Sequence, residues 1–490
     1  MEYRFEQETK EIWRERFSRC DSIITELEGV VPDVNEDVGH VASVQCSVLL
    51  KSKELNGNEL RVGFELEAVV LYITENADAM ASVRLTKELE QSLALDNAAE
   101  EVQTVLRVAR TEGRILNPRK LAVTVQLACE SRGYSRESAT LSLLPEGNAV
   151  PLLLGLAESA QTQAVTAVTE KTFAITESFV FPEGRPVPTQ ILSHALQFRL
   201  LEQNRIGSRL IVKGTMELTV AYRSEGLSYP LRQSFTASVS QIVDIGSEGA
   251  SCCTICCMPT AVYLNLTDSI SGGKALETEV HALLQTVCRN TEELRYLSDA
   301  YSNLMPVRCE YRTLTLDTAG EMERSGAVAS ELIAVGEDCA DVLAVLPALS
   351  EEGEGWSLAL DIIYRSKNGE LASARRQLPL KTELPADARL LSATLTQTDI
   401  VPDGEGLQCR AEATFVWQRL SSREVQVLTG AEADEEHPYD LSTLPSVTLV
   451  RVERESLWEL ARKYHSSTEA IASLNDTEEI AGKMLLIPRA

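Results

Sequence analysis

The stretch Leu60-Arg-Val62-Gly-Phe64-Glu-Leu66-Glu-Ala68-Val-Val70-Leu-Tyr72 decides how this chain is read, because its apolar residues fall on every second position. Alternation with period two is the pattern of a strand with one buried face. It returns twice. Ile211-Val-Lys-Gly-Thr-Met216-Glu-Leu218-Thr-Val220-Ala-Tyr222 aligns with it without gaps, and Trp356-Ser-Leu358-Ala-Leu360-Asp-Ile362-Ile-Tyr364 is a third copy that also ends on Tyr.

Working outward, Pro32 precedes Tyr72 by 40 residues (72 − 32) and Pro182 precedes Tyr222 by the same 40 (222 − 182). The two prolines sit in matching phrases, Val30-Val-Pro32-Asp33 and Val180-Phe-Pro182-Glu183. Proline fixes φ and lacks a ladder donor, so each phrase interrupts pairing before a strand begins. Downstream of each Tyr comes a second matching strand: LAVTVQLAC from Leu121, LETEVHALL from Leu276 and LQCRAEATF from Leu407. The Tyr spacings, 150 residues (222 − 72) and 142 (364 − 222), are too long for a solenoid repeat, so each copy is expected to be a domain with its own core. In the third copy the position 40 residues before Tyr364 is Arg324 rather than Pro, so its start is degenerate.

The spacing predicts a mainly β protein: β-sandwich-like domains over residues 28–170, 171–304 and 305–429, with short helices over 156–170 and 291–304 where Ala, Glu and Ser accumulate. Phe5, Ile12, Trp13, Phe17, Ile23, Ile24 and Leu27 approximate one helical stripe, which predicts a lead-in amphipathic helix over residues 1–27, packed on the first domain or on a partner chain. Gly430-Ala-Glu-Ala-Asp-Glu-Glu-His437-Pro438 marks an acidic, solvated linker over 430–445.

With 490 residues, 44% hydrophobic and 24% charged, the chain has the composition of a globular protein. A net charge of −27 argues against a nucleic-acid binder and against an anionic membrane surface, both of which need clustered Lys and Arg. The N-terminus offers no apolar run of signal-peptide length, so the chain is expected to stay in the cytosol with its 11 cysteines reduced.

Cys252-Cys253-Thr-Ile-Cys256-Cys257 holds two Cys-x-x-Cys spacings. On a strand, Cys252 and Cys256 would share one face and Cys253 and Cys257 the other, which leaves small-residue packing, thiol chemistry and metal binding as alternatives. His40, His194, His281, His437 and His465 are dispersed and form no motif. Lys213-Gly214-Thr215 and Ser271-Gly-Gly-Lys274 lack the phosphate-loop pattern and fit strand entries or hairpin turns. No catalytic residue, metal ligand or cofactor site is expected.

From Ser446 to Pro488 the chain reads SVTLVRVERESLWELARKYHSSTEAIASLNDTEEIAGKMLLIP, which resembles a LysM module, a small α+β domain in its short βααβ form. Ser456 suits the cap of a first helix, and Ser467 followed by Glu469 the start of a second. Leu457, Leu460, Ala461 and Tyr464 recur at helical spacing as its core. Arg454-Glu455-Ser456 replaces the family's usual Gly-Asp-Thr turn. The upstream repeats resemble the SPOCS domain of endospore-forming bacteria, with the Pro phrase and the Tyr-ended strand as the matching features.

The combination is similar to spore-coat morphogenesis proteins that join SPOCS units to one terminal LysM module, here residues 446–490. The resemblance implies a non-enzymatic scaffold in the mother-cell cytoplasm, at the forespore surface or in the spore coat. Its implied partner is a SpoIVA-type coat-basement ATPase, recruited or tethered through the LysM module. The alternative is a protein that binds the N-acetylglucosamine chains of peptidoglycan in the cortex or cell wall. In either case the expected binding groove comprises Arg454, Glu455, Ser456, Leu457, Trp458, Asn475, Asp476, Thr477 and Ile480. Trp458 is either a core anchor or an interface hot spot, and charged rims favour a protein partner over an uncharged sugar.

Overall fold

The computed structural model describes residues 2–3, 6–143, 153–246, 252–269, 272–335, 338–352, 355–385, 387–403, 406–475 and 480–489. After the short β1 (Glu2–Tyr3) comes a six-stranded unit: β2 (Glu6–Val30), β3 (Val38–Asn56), β4 (Glu59–Thr74), β5 (Met80–Ala94), β6 (Glu101–Asn117) and β7 (Lys120–Leu143). All pairings are antiparallel, in two ladders ordered β3-β4-β5 and β2-β7-β6. The alternation explains the packing. Leu60, Val62, Phe64, Leu66, Ala68, Val70 and Tyr72 of β4 face Leu121, Val123, Val125, Leu127 and Cys129 of β7 within one buried cluster.

The same unit is built twice more. The second comprises β8 (Leu154–Val180), β9 (Pro188–Ile206), β10 (Arg209–Ser224), β11 (Leu231–Asp244), β12 (Cys252–Asp268) and β13 (Lys274–Tyr301). The third comprises β14 (Val307–Ala334), β15 (Cys339–Glu352), β16 (Gly355–Ser366), β17 (Leu371–Leu380), β18 (Ala388–Asp403) and β19 (Gly406–Ala433). In each, the second, third and fourth strands form one ladder, and the sixth lies between the first and the fifth in the other.

Tyr72, Tyr222 and Tyr364 are buried and stand two residues before the ends of β4, β10 and β16. Tyr72 donates to Glu36 O (3.1 Å) and Tyr364 to Asp338 Oδ1 (3.3 Å), each fastening the chain that leads into the unit's second strand. Gly57 and Gly207, 150 residues apart (207 − 57), take φ of 62° and 58° in equivalent hairpin turns, a left-handed conformation that favours glycine.

Three sequence expectations are corrected. The expected lead-in helix is the strand β2, because the odd positions Trp13, Phe17, Ile23 and Leu27 face the protein while Ile24 is exposed. The expected short helices at 156–170 and 291–304 lie mainly within β8 and β13, and β8 runs through the 170/171 boundary. Helix propensity differs by less than about 1 kcal/mol per ordinary residue. Burial of one large apolar side chain contributes roughly 1.5–3 kcal/mol, and tertiary packing therefore decides. The stretch assigned to an acidic linker begins inside β19 and then stays on the body, with Asp434 N bonded to Pro306 O (2.9 Å) and Tyr439 N to Leu304 O (2.8 Å). The third unit, whose start lacks the Pro phrase, is also shortened there. Val335 occupies the place of Val31 and Phe181, but stands 29 residues before its Tyr (364 − 335) against 41 in the others (72 − 31; 222 − 181).

The units close on one another cyclically. Side chains of each second strand donate to a carbonyl on the fifth strand of the following unit. Lys51 of β3 bonds Thr260 O of β12 (3.1 Å), Arg199 of β9 bonds Thr396 O of β18 (3.3 Å), and Ser350 of β15 bonds Ala109 O of β6 (3.3 Å). Each accepting residue is eight positions into its strand (109 − 101; 260 − 252; 396 − 388), so the three acceptors are equivalent.

A second ring runs from the sixth strands. Gln285 of β13 donates to Thr104 O (2.7 Å) and accepts from Thr104 N (2.9 Å) on β6. Gln418 of β19 accepts from Thr254 Oγ1 of β12 (2.7 Å), and Arg132 of β7 donates to Leu390 O of β18 (3.3 Å). The side chains of Arg132, Gln285 and Gln418 come from buried residues. The body is thus three β units in a pseudo-threefold ring.

The Gln285→Leu substitution orphans a buried N–H and a buried C=O on Thr104 and is expected to destabilise the full chain by roughly 2–5 kcal/mol. Denaturant unfolding checks this; a loss below about 0.5 kcal/mol, the scale of a neutral surface change, would show that the second ring does not hold the units.

Candidate functional site

Past the ring, β20 (Val447–Arg451), α1 (Leu457–Lys463), α2 (Thr468–Leu474) and β21 (Met484–Pro488) form a βααβ module with its two strands antiparallel. Its helices are short, so their caps matter. Ser456 Oγ accepts from Glu459 N while the Glu459 carboxylate accepts from Ser456 N (2.7 Å), a complete capping box; Ser467 Oγ accepts from Ala470 N (3.1 Å). Val452, Leu460, Ala461, Ile471, Leu485 and Ile487 make the core, and Tyr301 from the end of β13 belongs to the same cluster.

That tyrosine begins the attachment of the module to the ring. Its hydroxyl donates to Ser466 O (2.8 Å), and its ring meets Trp458 edge-on at 4.7 Å. Asp299 completes it: Oδ2 accepts from Trp458 Nε1 and from Arg462 Nη1, both at 2.9 Å, and Oδ1 accepts from Tyr311 Oη at 2.8 Å. Burial pushes the Tyr301 phenol well above its ordinary range, so it remains a donor. Trp458 is therefore an intramolecular anchor.

Of the expected groove residues, most of those the structure describes are engaged within the module. Leu457, Trp458 and Ile480 pack against the module core. Asn475 braces α2 to β21: its Nδ2 donates to Ile471 O (2.8 Å) and Leu486 O (2.6 Å), and its Oδ1 accepts from Leu486 N (2.8 Å). Ser456 is spent on its cap. Glu455 accepts from Glu453 N (3.1 Å) and Arg454 N (3.2 Å), and its own backbone N–H, with those of Arg454 and Glu453, holds its carboxyl below the usual range. The Arg454 side chain is exposed. Asp476 and Thr477 lie outside the described residues.

Sequence reasoning missed the outer face of the β20–β21 ladder. Val447, Leu449, Met484 and Leu486 are 47, 58, 53 and 41% exposed, and Leu449 pairs directly with Leu486. The signal was present in Val447-Thr-Leu449-Val450-Arg-Val452, where both strand faces carry apolar residues although a two-stranded sheet over two helices buries only one.

Two further features lie in the ring. A cavity of about 730 Å³ opens between the units, with Gln45, His194, Arg232, Asp361 and Arg375 among its lining. Two of its titratable groups, Asp361 and His194, make contacts between units. Asp361 accepts from Ser43 of the first unit (2.7 Å) and lies 3.5 Å from Arg375, burial raising its pKa against those partners. His194 stands 3.7 Å from Glu67, and burial lowers its pKa.

The cysteine run lies on β12 as its spacing implies. Cys253 and Cys257 turn with Ile255 into the second unit's core, and Cys252, Ile255, Cys256 and Cys257 border a cavity of about 780 Å³ against the third unit. Among the described residues no three His, Cys, Asp or Glu side chains are grouped to hold a metal. Among the same residues no helix is long and apolar enough to cross a membrane. No protein-family model, curated protein or solved structure matches the chain.

Replacing Asp299 by Ala removes the acceptor shared by Trp458, Arg462 and Tyr311, and is expected to loosen the module from the ring. Limited proteolysis of the full-length variant should then cut several-fold faster within residues 434–446. An unchanged cleavage rate would assign the attachment to Tyr301 alone.

Proposed function

We propose that this protein is a non-enzymatic assembly scaffold of the spore envelope, in which the three-unit ring is a rigid platform and the C-terminal module docks a SpoIVA-type coat-basement ATPase at the forespore surface. The resemblance of the repeats to SPOCS units and of the tail to LysM supplies the partner class. The observation that carries the reading is the ladder face, an apolar surface left open on the module while the module's opposite side is fixed to the ring through Asp299, Tyr301 and Trp458.

Charge supports the same surface. Residues 446–490 contain six Lys or Arg and seven Asp or Glu, a net of −1 (6 − 7), so the other residues carry −26 of the −27. An acidic body repels acidic neighbours at long range, and a nearly neutral apolar face is where close approach costs least. Arg451 and Arg454 extend that face with positive groups able to steer an acidic partner.

The second reading, glycan binding by the loop groove, draws less support, because Ser456, Glu455 and Asn475 already have internal partners.

The test is direct binding of the full chain to the purified ATPase, beside sedimentation with purified peptidoglycan. The paired substitution Leu449→Glu with Leu486→Glu, on a protein that keeps its thermal melt, is expected to weaken ATPase binding at least tenfold. Sedimentation with peptidoglycan but no ATPase binding would overturn the proposal in favour of the glycan reading, and full affinity in the folded double variant would remove the ladder face from it.

A further inference from the structure

We propose that Cys253 and Cys288 are a reversible redox pair, a cross-strand disulfide site that closes when the protein meets a small-molecule disulfide of the glutathione type. The register places them directly opposite one another on β12 and β13. Among the described residues no other two cysteines face each other in a ladder. Both side chains enter the same core cluster beside Ile255 and Leu284, at 5 and 0% exposure, so they lie on one face of the sheet. Opposed residues of an antiparallel ladder have Cα atoms about 4.5 or 5.5 Å apart, depending on the rung. Both values fall inside the roughly 4.4–6.8 Å window of disulfides, so closure needs side-chain rotation and no strand shift.

The thiol chemistry favours Cys253 as the attacking group. The hydrogen bond with Cys288, helped by the positive potential of Arg205 and Arg289, holds the Cys253 thiol below its ordinary range, while the same hydrogen bond and burial push that of Cys288 up. The Cys253 thiolate attacks the oxidant's disulfide, forming a mixed disulfide and releasing one thiolate. That thiolate takes the proton of Cys288, whose sulfur then attacks Cys253 Sγ and expels the second oxidant thiolate. Two electrons pass from the two protein sulfurs to the oxidant, which leaves as one thiol and one thiolate, the latter regaining from solvent the proton that Cys253 lost on ionising.

Access comes from the end of the ladder. Cys253 is the second residue of β12, so opening the first rungs, Cys252 opposite Arg289 and then Cys253 opposite Cys288, exposes it without unfolding the unit. The bond would tie a strand on which all three units meet. β12 receives Lys51 of the first unit at Thr260 and Gln418 of the third at Thr254, the residue after Cys253. Oxidation therefore fixes the ring at that strand.

The test equilibrates the full-length protein in buffers of stepped reduced-to-oxidised glutathione ratio, traps thiols by alkylation in denaturant, and maps peptides without reduction. The expected product links the Cys253 peptide to the Cys288 peptide, raises the melting temperature by several degrees and reverses with dithiothreitol. In Cys288→Ala, Cys253 should retain glutathione as a mixed disulfide. The proposal is overturned if wild-type Cys253 and Cys288 both remain alkylatable while the exposed Cys20 is modified. A bond from Cys253 to Cys252 or Cys257 in its place overturns it equally. Because the mapping is made on the unmutated chain, a folding defect in the variant does not affect the result.

Discussion

Hydrogen bonding between one unit's side chains and the fifth strand of its neighbour is the constraint on which the rest of the molecule depends. A β sandwich of this size can bury its own alternating face, but it leaves the backbone of an edge strand with unpaired donors and acceptors. Here β6, β12 and β18 are such edges in their own ladders, and each is closed by the neighbouring units through Ser350 and Gln285, Lys51 and Gln418, or Arg199 and Arg132. Removal of one buried partner leaves the other unsatisfied, so the ring is costly to open at any single junction. A rigid, closed body follows, and the exposed apolar surface of the module lies outside it.

The part of this legible in sequence was the part with a local period. Leu60 to Tyr72 and its two copies named the central strand of every unit, its buried parity and its terminal tyrosine. The first strands were harder. Trp13 to Phe17 and Ile23 to Leu27 are steps of four, which suit a helix and a strand equally, and only Ile24, exposed in the structure, separates the two. Ala-rich 156–170 carried a helical preference too weak to oppose pairing with β13. The cyclic closure could not be read at all. Arg132 and Leu390 are separated by 258 positions, and no window of sequence relates a donor to an acceptor so distant.

The module shows the same division. Its caps, Ser456 and Ser467, and its core spacing were legible because they are set within a few residues. The roles of its polar groups were not. Asn475 looked free for a ligand but braces Leu486, and Trp458 was undecided until Asp299, 159 positions earlier, supplied its acceptor. Attachment through one face then determines which face remains for a partner. The outer face of the β20–β21 ladder is left exposed by that attachment.

Native-state hydrogen exchange on the full chain tests the interlocked ring most directly. If the three units hold one another, amides of β6, β12 and β18 should exchange with the same high opening free energy as the buried central strands β4, β10 and β16, and that value should be common to all three units. Fifth-strand amides that exchange early, or three separate opening energies, would describe three independent domains and contradict the account.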